Sequence, residues 1–290
     1  MNCQKWLKRY QNGLDGKTVV LFGATGGLGQ ALCKDILMLG GRLITVDRNR
    51  EKAEKNTAEL KKSFPDGEII NLFADLSDFA SVVSVAEELK QQNVDILVHN
   101  AGAYSIPRCT TSLGVDNVYQ INFVAPYYIT KALLPQLIQR KGRVVAVGSI
   151  AHNYSKTDEN DWDFSTRKAS SLVYGNAKRH WMYTLLELSK EHPEVAFSVA
   201  HPGIAFTGIT NHYPKLIFAI IKHPMKVIFM KPKYAALSIV MGMFEKTEPY
   251  SWIGPRFFDV WGMPRKKPLH TASSMEIAAI YHHAKQMLKD

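Results

Sequence analysis

Only three cysteines occur in the 290 residues, Cys3, Cys33 and Cys109, and no two of them stand at a metal-ligand spacing. That excludes a cysteine-built metal centre, and no metal is expected; the three read as free thiols of a reducing compartment. No apolar run approaches the ~20 residues of a membrane span. The most apolar region, 216–221 with 227–230, is broken by Lys222, His223, Pro224 and Lys226. A transmembrane helix is thereby excluded, while contact with a membrane surface stays open without being favoured. The first residues, Met-Asn-Cys-Gln-Lys-Trp, lack an apolar signal region, so a cytoplasmic protein is expected. Linkers rich in proline, glycine or serine, low-complexity tracts and internal repeats are missing too. One α/β domain with excursions fits this better than a string of modules.

What is present is ordinary globular material, 46% hydrophobic and 21% charged, enough for a large core. The net charge is +10 and the pI about 9.4. Such an excess suits nucleic acid, an anionic membrane, or simply a basic surface. It is spread over many segments, with local runs at 5–9 and 265–267 that lack the aromatic interleaving of a single-strand binder. No nucleic-acid partner is expected.

Residues 18–22 form a β-branched and apolar run that stops at glycines, the mark of a buried strand. Helical periodicity over 28–39 ends at Gly40-Gly41. Strands at 42–46, 68–73, 95–99, 143–147 and 195–200 then alternate with helical segments at 51–63, 79–91, 113–140 and 171–191. Alternation of this length implies right-handed βαβ crossovers and a parallel sheet covered on both faces. The expected organisation is a lead-in at 1–16, one domain at 17–262 and a basic tail at 263–290, with both ends peripheral.

Between the first strand and first helix runs Gly23-Ala24-Thr25-Gly26-Gly27-Leu28-Gly29. A dinucleotide pyrophosphate needs backbone N–H groups at a helix N-terminus and no side chains in its way, and strand–loop–helix is the required context. The glycines can be read as Gly23, Gly27, Gly29 or as Gly23, Gly26, Gly29. Asp47 ends the second strand, 18 residues after Gly29, close to the spacing at which an acid receives an adenosine ribose. Its carboxylate would repel a 2′-phosphate, whereas the neighbouring Arg48 would attract one. Because aspartate is the less able to withdraw, NAD is expected over NADP, with NADP possible.

Tyr174 and Lys178 lie one helical turn apart on the same face. A tyrosine titrates near pKa ~10, and a nearby cation lowers that by stabilising the phenolate. Taken alone, such a pair is common on helix surfaces. Taken in order, Gly23–Gly29, Asp75-Leu76, Asn100-Ala101-Gly102, Asn122, Ser149, Tyr174 with Lys178, and Pro202-Gly203 resemble the short-chain dehydrogenase/reductase family over roughly 17–262. The pattern Gly148-Ser149-Ile150-Ala151-His152, the 25-residue step to Tyr174 and the aspartate-rich insert 158–164 are similar to its retinol-dehydrogenase-like branch.

The resemblance implies a doubly wound, Rossmann-type parallel sheet in a single domain, with a helical substrate flap at about 204–232. It implies Tyr174 as acid/base, Lys178 lowering the tyrosine pKa and bonding the nicotinamide ribose, Ser149 orienting the substrate oxygen, and Asn122 supporting a water-linked proton path. Thr25, Gly26, Gly27 and Leu28 fall in the cofactor loop with Gly23 and Gly29. Asp75 would meet the adenine amino group with Leu76 beside the ring, Asn100-Ala101-Gly102 would close the fourth strand on the cofactor, and Pro202, Gly203 and Thr207 would flank the nicotinamide. Phe22, Gly148 and His99 depart from the family's usual residues. The histidines His152 and His201 have no partner spacing and read as packing residues.

The apolar content of 204–232 favours a lipophilic alcohol, aldehyde or ketone. Family dimers and tetramers pair segments corresponding to 122–139 and 174–188, so a homodimer or homotetramer is expected. Two other readings compete. An extended-type nucleotide-sugar epimerase or dehydratase fits the alternate glycine spacing, but not Asn100-Ala101-Gly102 or Pro202-Gly203. A catalytically silent nucleotide-binding interaction protein has no need of the full Asn122, Ser149, Tyr174, Lys178 set.

Overall fold

The computed structural model describes residues 2–203 and 230–288. The flap expected at 204–232 therefore lies outside the described residues except for 230–232, and Thr207 lies outside them altogether. The first strand, β1 (Thr18–Phe22), is buried at every position, which is why its sequence is a continuous apolar run rather than an alternation. It is followed by α2 (Gly27–Met38), β2 (Arg42–Asp47), α3 (Arg50–Ser63), β3 (Ile69–Phe73), α4 (Phe79–Lys90) and β4 (Ile96–His99). Local signals set these limits. Gly40 sits at φ +91 past the end of α2, a left-handed stop that a side chain would strain. Asn49 and Asp78 cap α3 and α4, accepting from the backbone of Lys52 and Ala80.

The second half contains α5 (Asn117–Tyr119), a π-turn over Gln120–Val124, α6 (Ala125–Gln139), β5 (Arg143–Val147) and α7 (Ser170–Glu191). After β6 (Ala196–Ala200) come α8 (Pro232–Phe244), β7 (Ser251–Phe257), β8 (Trp261–Pro268) and α9 (Ser274–Met287). The sheet order is β3-β2-β1-β4-β5-β6-β7-β8, parallel up to β7, with β8 antiparallel at the edge. Chain direction across the sheet reverses between β1 and β4, the point at which a doubly wound sheet opens a crevice beyond its strand ends. One apolar core fills the face covered by α4, α6, α7 and α9. A second fills the face covered by α2 and α8.

Two expectations need correcting. Neither end of the chain is peripheral. The N-terminal α1 (Cys3–Leu7) buries Trp6 and Leu7, and Tyr10 stacks on Phe244 at 4.4 Å. At the other end, 261–268 is a sheet strand, and α9 buries Ile277, Ile280 and Ala284 against α7. The helical segment expected from 113 begins only at Asn117, because Asp116 accepts from the backbone of Val118 as its cap. No helix among the described residues is long and apolar enough to cross a membrane.

α7 is covered almost throughout. From Val173 to Leu186 every residue is buried except Tyr174. α9 contributes to this cover: Trp162 stacks on its His283 at 4.1 Å, and its Tyr281 donates to Glu191. The α7 face expected to meet a second copy is occupied within the chain itself.

Candidate active site

The glycine loop crosses the crevice between β1 and β4. Gly23 adopts φ +80, and a Cβ there would lie 2.8 Å from the Cα of Ala101. A Cβ on Gly29 would collide with the Gly23 carbonyl oxygen. These two glycines are demanded by the fold. Gly26 is different: among the described residues a Cβ there would have nothing within 4 Å, and one on Gly27 only Pro232 at 3.6 Å. The α2 N-terminus has no side-chain cap. The uncapped first-turn N–H groups and the missing side chains leave a cradle that fits a pyrophosphate. Asn100 fixes its inner edge by donating Nδ2 to the carbonyl oxygen of Gly23 at 2.7 Å.

Asp47 ends β2 as the spacing suggests, but its carboxylate turns toward the loop. It is 4% exposed; its Oδ1 accepts from the Thr25 backbone at 3.0 Å and hydroxyl at 2.9 Å, and its Oδ2 is buried without a described partner. Burial pushes its carboxyl up from the usual range, opposed by the donors of Thr25 and Ala24. The carboxylate braces the loop from beneath. Arg48 points the other way, 71% exposed, with its guanidinium 3.9 Å from the Asp75 carboxylate. The other Asp75 oxygen accepts from the backbone and hydroxyl of Ser77, and Leu76 beside it is buried.

The structure brings four of the expected residues together where β4 and β5 end. Asn122 sits within the π-turn, fully buried, its Nδ2 donating to Ala103 O at 2.7 Å and to Val118 O at 2.8 Å. The second acceptor lies in α5, one turn earlier, and the widened turn that follows is of the kind that recurs at functional sites. Asn122 Oδ1 has no described partner, and it and Lys178 Nζ both border Gly102. Lys178 is 3% exposed and donates to Val147 O at 3.1 Å; its Nζ is 5.7 Å from the centre of the Tyr174 ring. Ser149 starts a short 3-10 turn, accepts from the Ala151 backbone, and lies close enough to the Tyr174 phenol to favour its ionised form.

The spacing of Lys178 predicts a lowered tyrosine pKa, but burial pushes the Tyr174 phenol up to about 12 against the influence of Ser149. The same dry surroundings push the Lys178 ammonium down to about 8. Desolvation is the largest influence on both groups. The phenol is thereby held protonated at neutral pH.

Several contributors were not singled out in the sequence. Arg179, next to Lys178, is 2% exposed and makes a two-pronged pair with Glu276 of α9, both contacts 2.7 Å. It also donates to the carbonyl oxygens of His152 at 3.1 Å and Thr271 at 2.6 Å. His152 in turn donates Nδ1 to Ser149 O at 2.6 Å. Glu276 thus reaches Ser149 through two buried links, Arg179 and His152. Its other donors are the backbone and hydroxyl of Thr157, and together these hold its carboxyl down to about 2. His201 lies flat on Trp252 at 5.1 Å, with Nε2 2.9 Å from Asp259 O, a packing role.

The departures from the family pattern are packing solutions. Phe22 and His99 are cross-strand partners and stack at 5.3 Å, and His99 also meets the edge of Trp181. At Gly148 a Cβ would lie 2.9 Å from Val199 and 3.2 Å from Met182, so the usual serine has no room. Gly203, after Pro202, sits at φ +80 against Pro255 and Val260. A cavity of about 570 Å³ adjoins Tyr154 and Leu172, lined also by Lys156, Phe164 and Arg167.

The short chain dehydrogenase family model matches residues 17–161, half of the chain. The chain belongs to the short-chain dehydrogenase family. Within it the chain is similar to the retinol dehydrogenases 14 of Mus musculus and Homo sapiens, 29% identical over 225 and 217 residues. Those matches cover 71% and 69% of this chain and 67% and 65% of the relatives, so they span about two thirds of the relatives' length. Among solved structures, an uncharacterised protein from Mycobacterium paratuberculosis superposes with a TM-score of 0.75 at 22% identity, covering 96% of each chain. A short-chain dehydrogenase from Sphingobium yanoikuyae, solved in complex with NADPH, gives 0.60 at 21% identity, covering 78% of this chain and 83% of that one. Both establish the shared fold.

Proposed function

We propose that this short-chain dehydrogenase interconverts an alcohol and a carbonyl compound, with Tyr174 as acid/base, Ser149 orienting the reacting oxygen and a nicotinamide dinucleotide as cofactor. The observation that carries the reading is the meeting of the Ser149 and Tyr174 hydroxyls beside Lys178 and Asn122, at the rim of a glycine cradle that fits a pyrophosphate. Gly26, Gly27, Leu28, Asn100 and Gly102 would hold the cofactor, which supplies the hydride. Ser149 and Tyr174 would donate to one oxygen, polarising a carbonyl and stabilising the alkoxide that forms. The names of the curated relatives and the apolar sequence of 204–232 support a lipophilic substrate. A screen of such alcohols, aldehydes and ketones with both cofactors, read by nicotinamide absorbance, tests this. Absence of turnover with every pair, in protein that binds cofactor, would favour a silent binding protein.

Cofactor choice follows from the two neighbouring side chains. NAD was the sequence-based expectation, on the ground that Asp47 faces the adenosine ribose. With Asp47 tied to Thr25 and Arg48 in solvent, that ground is lost, and the geometry supports NADP. Arg48→Ala is expected to lower catalytic efficiency with NADP by about tenfold, the loss of one charge-assisted contact, and leave NAD nearly unchanged. Asp47→Ser should weaken both cofactors by loosening the loop. A selective gain for NADP in Asp47→Ser would show instead that the aspartate repels the phosphate.

The covered α7 face bears on assembly. Sedimentation at micromolar concentration is expected to give a monomer of 32.6 kDa rather than the dimer or tetramer expected from family resemblance. A dimer would show that pairing uses another surface.

A further inference from the structure

We propose that the turn joining β7 to β8 is a membrane-docking element, seating Phe257, Phe258 and Trp261 in the headgroup layer of an anionic bilayer. Phe258 is 92% exposed and lies at φ +50, next to Asp259 at φ +57. Two successive left-handed residues make the tight hairpin turn that asparagine and glycine fill most easily. Phenylalanine is disfavoured there by its backbone, and its ring gains nothing from the fold. Beside it Trp261 is 55% and Phe257 49% exposed, their rings 6.2 Å apart. Three large aromatics at one tip form a patch of the kind that marks a contact surface. Tryptophan, with an apolar body and a polar N–H, favours the membrane–water boundary.

Charge selects the occupant. Asp259, the acid of the turn, is neutralised by Lys267 at 2.8 Å. Arg256 is exposed, its guanidinium 5.6 Å from the Phe257 ring, and Arg265 is exposed further along β8. An aromatic tip flanked by arginines, on a chain of net charge +10, complements an anionic lipid surface. The tip is also held rigidly. Val260 donates to Phe257 O at 3.0 Å, and His201 Nε2 lies 2.9 Å from Asp259 O. Val260 also borders Gly203, which the family resemblance sets beside the nicotinamide, so docking would bring that side of the domain to the bilayer surface. Lipid binding itself does not depend on the oxidoreductase reading.

The test is flotation of the full chain with phosphatidylcholine vesicles, with and without phosphatidylglycerol. Wild-type protein is expected to float with the anionic vesicles at low salt and much less with the neutral ones. Phe258→Ser with Trp261→Ser, and separately Arg256→Glu with Arg265→Glu, should each reduce the bound fraction by about tenfold. These side chains are exposed, so melting temperature and turnover on a water-soluble substrate should stay unchanged. Wild-type protein that fails to float with anionic vesicles overturns the proposal, as does a serine variant that floats like wild type. A serine variant that changes sedimenting mass and leaves flotation intact would make the tip a contact between copies and equally defeat it.

Discussion

Tyr174→Phe is expected to reduce turnover by about a thousandfold while cofactor affinity stays within about twofold, since general acid–base catalysis contributes factors of this order. The substitution removes one oxygen and leaves the ring, whose edge packs at 90° to Tyr104 with centroids 5.3 Å apart. Stability should change little, so lost activity cannot be blamed on unfolding. The phenol's pH behaviour gives a second handle. With burial pushing it up to about 12, Tyr174 stays protonated through the neutral range. Carbonyl reduction, which takes a proton from it, should be nearly flat between pH 6 and 8. Alcohol oxidation needs the phenolate and should climb with pH by close to the limit of about tenfold per unit. A flat profile for oxidation would mean that bound cofactor lowers the phenol far below its value in the free protein. Near-normal turnover in folded Tyr174→Phe would remove it from the mechanism.

Breaking the Arg179–Glu276 pair should have the largest effect on stability. Glu276→Gln leaves a buried guanidinium without its counter-charge, and removing one partner of such a pair costs about 3–5 kcal/mol. For a chain of this size that is a fall in Tm of roughly 10 °C. Turnover should fall as well, with KM for cofactor nearly unchanged, because Arg179 holds the His152 carbonyl and His152 holds that of Ser149. Arg179→Met with Glu276→Leu should recover much of the stability, since apolar replacement of both charges removes their desolvation cost, but not the turnover. If it restores both, the pair is structural only. The pair also sets an acid limit. Glu276 is held down to about 2 from a usual 4.5, so its contribution is complete above 4.5 and is lost as pH falls toward 2. Glu276→Gln should flatten that acid limb.

Much of the sheet was legible because its central strands are buried on both faces. Burial from both sides demands continuous apolar runs, and those of β1 and β5 begin and end where their sequences suggest. β8 was not legible for the opposite reason. As an edge strand it carries Pro264 and Pro268 with Arg265, Lys266 and Lys267, residues that guard an edge against further pairing and look like a solvated tail. Arg179 and Glu276 stand 97 residues apart, so no local spacing could link them. At Asp47 the sequence located the residue on its strand but not the direction of its carboxylate, which the Thr25 donors decide. At Tyr174 the one-turn spacing to Lys178 was visible, while the desolvation that governs its protonation depends on residues from several elements.

The position of Glu276 has a consequence for synthesis. The residue that locks Arg179, and through it the serine turn, is made 97 residues later than Arg179 itself. A chain still emerging from the ribosome can assemble its sheet and its glycine cradle from the N-terminus onward, as domains do when they fold in the order of their translation. It cannot yet clamp the Ser149 turn, because that clamp comes from α9. The nascent chain would therefore pass through a stage in which the cradle is formed but the Ser149 turn is not yet held, and the proposed turnover would begin only once α9 has packed against α7.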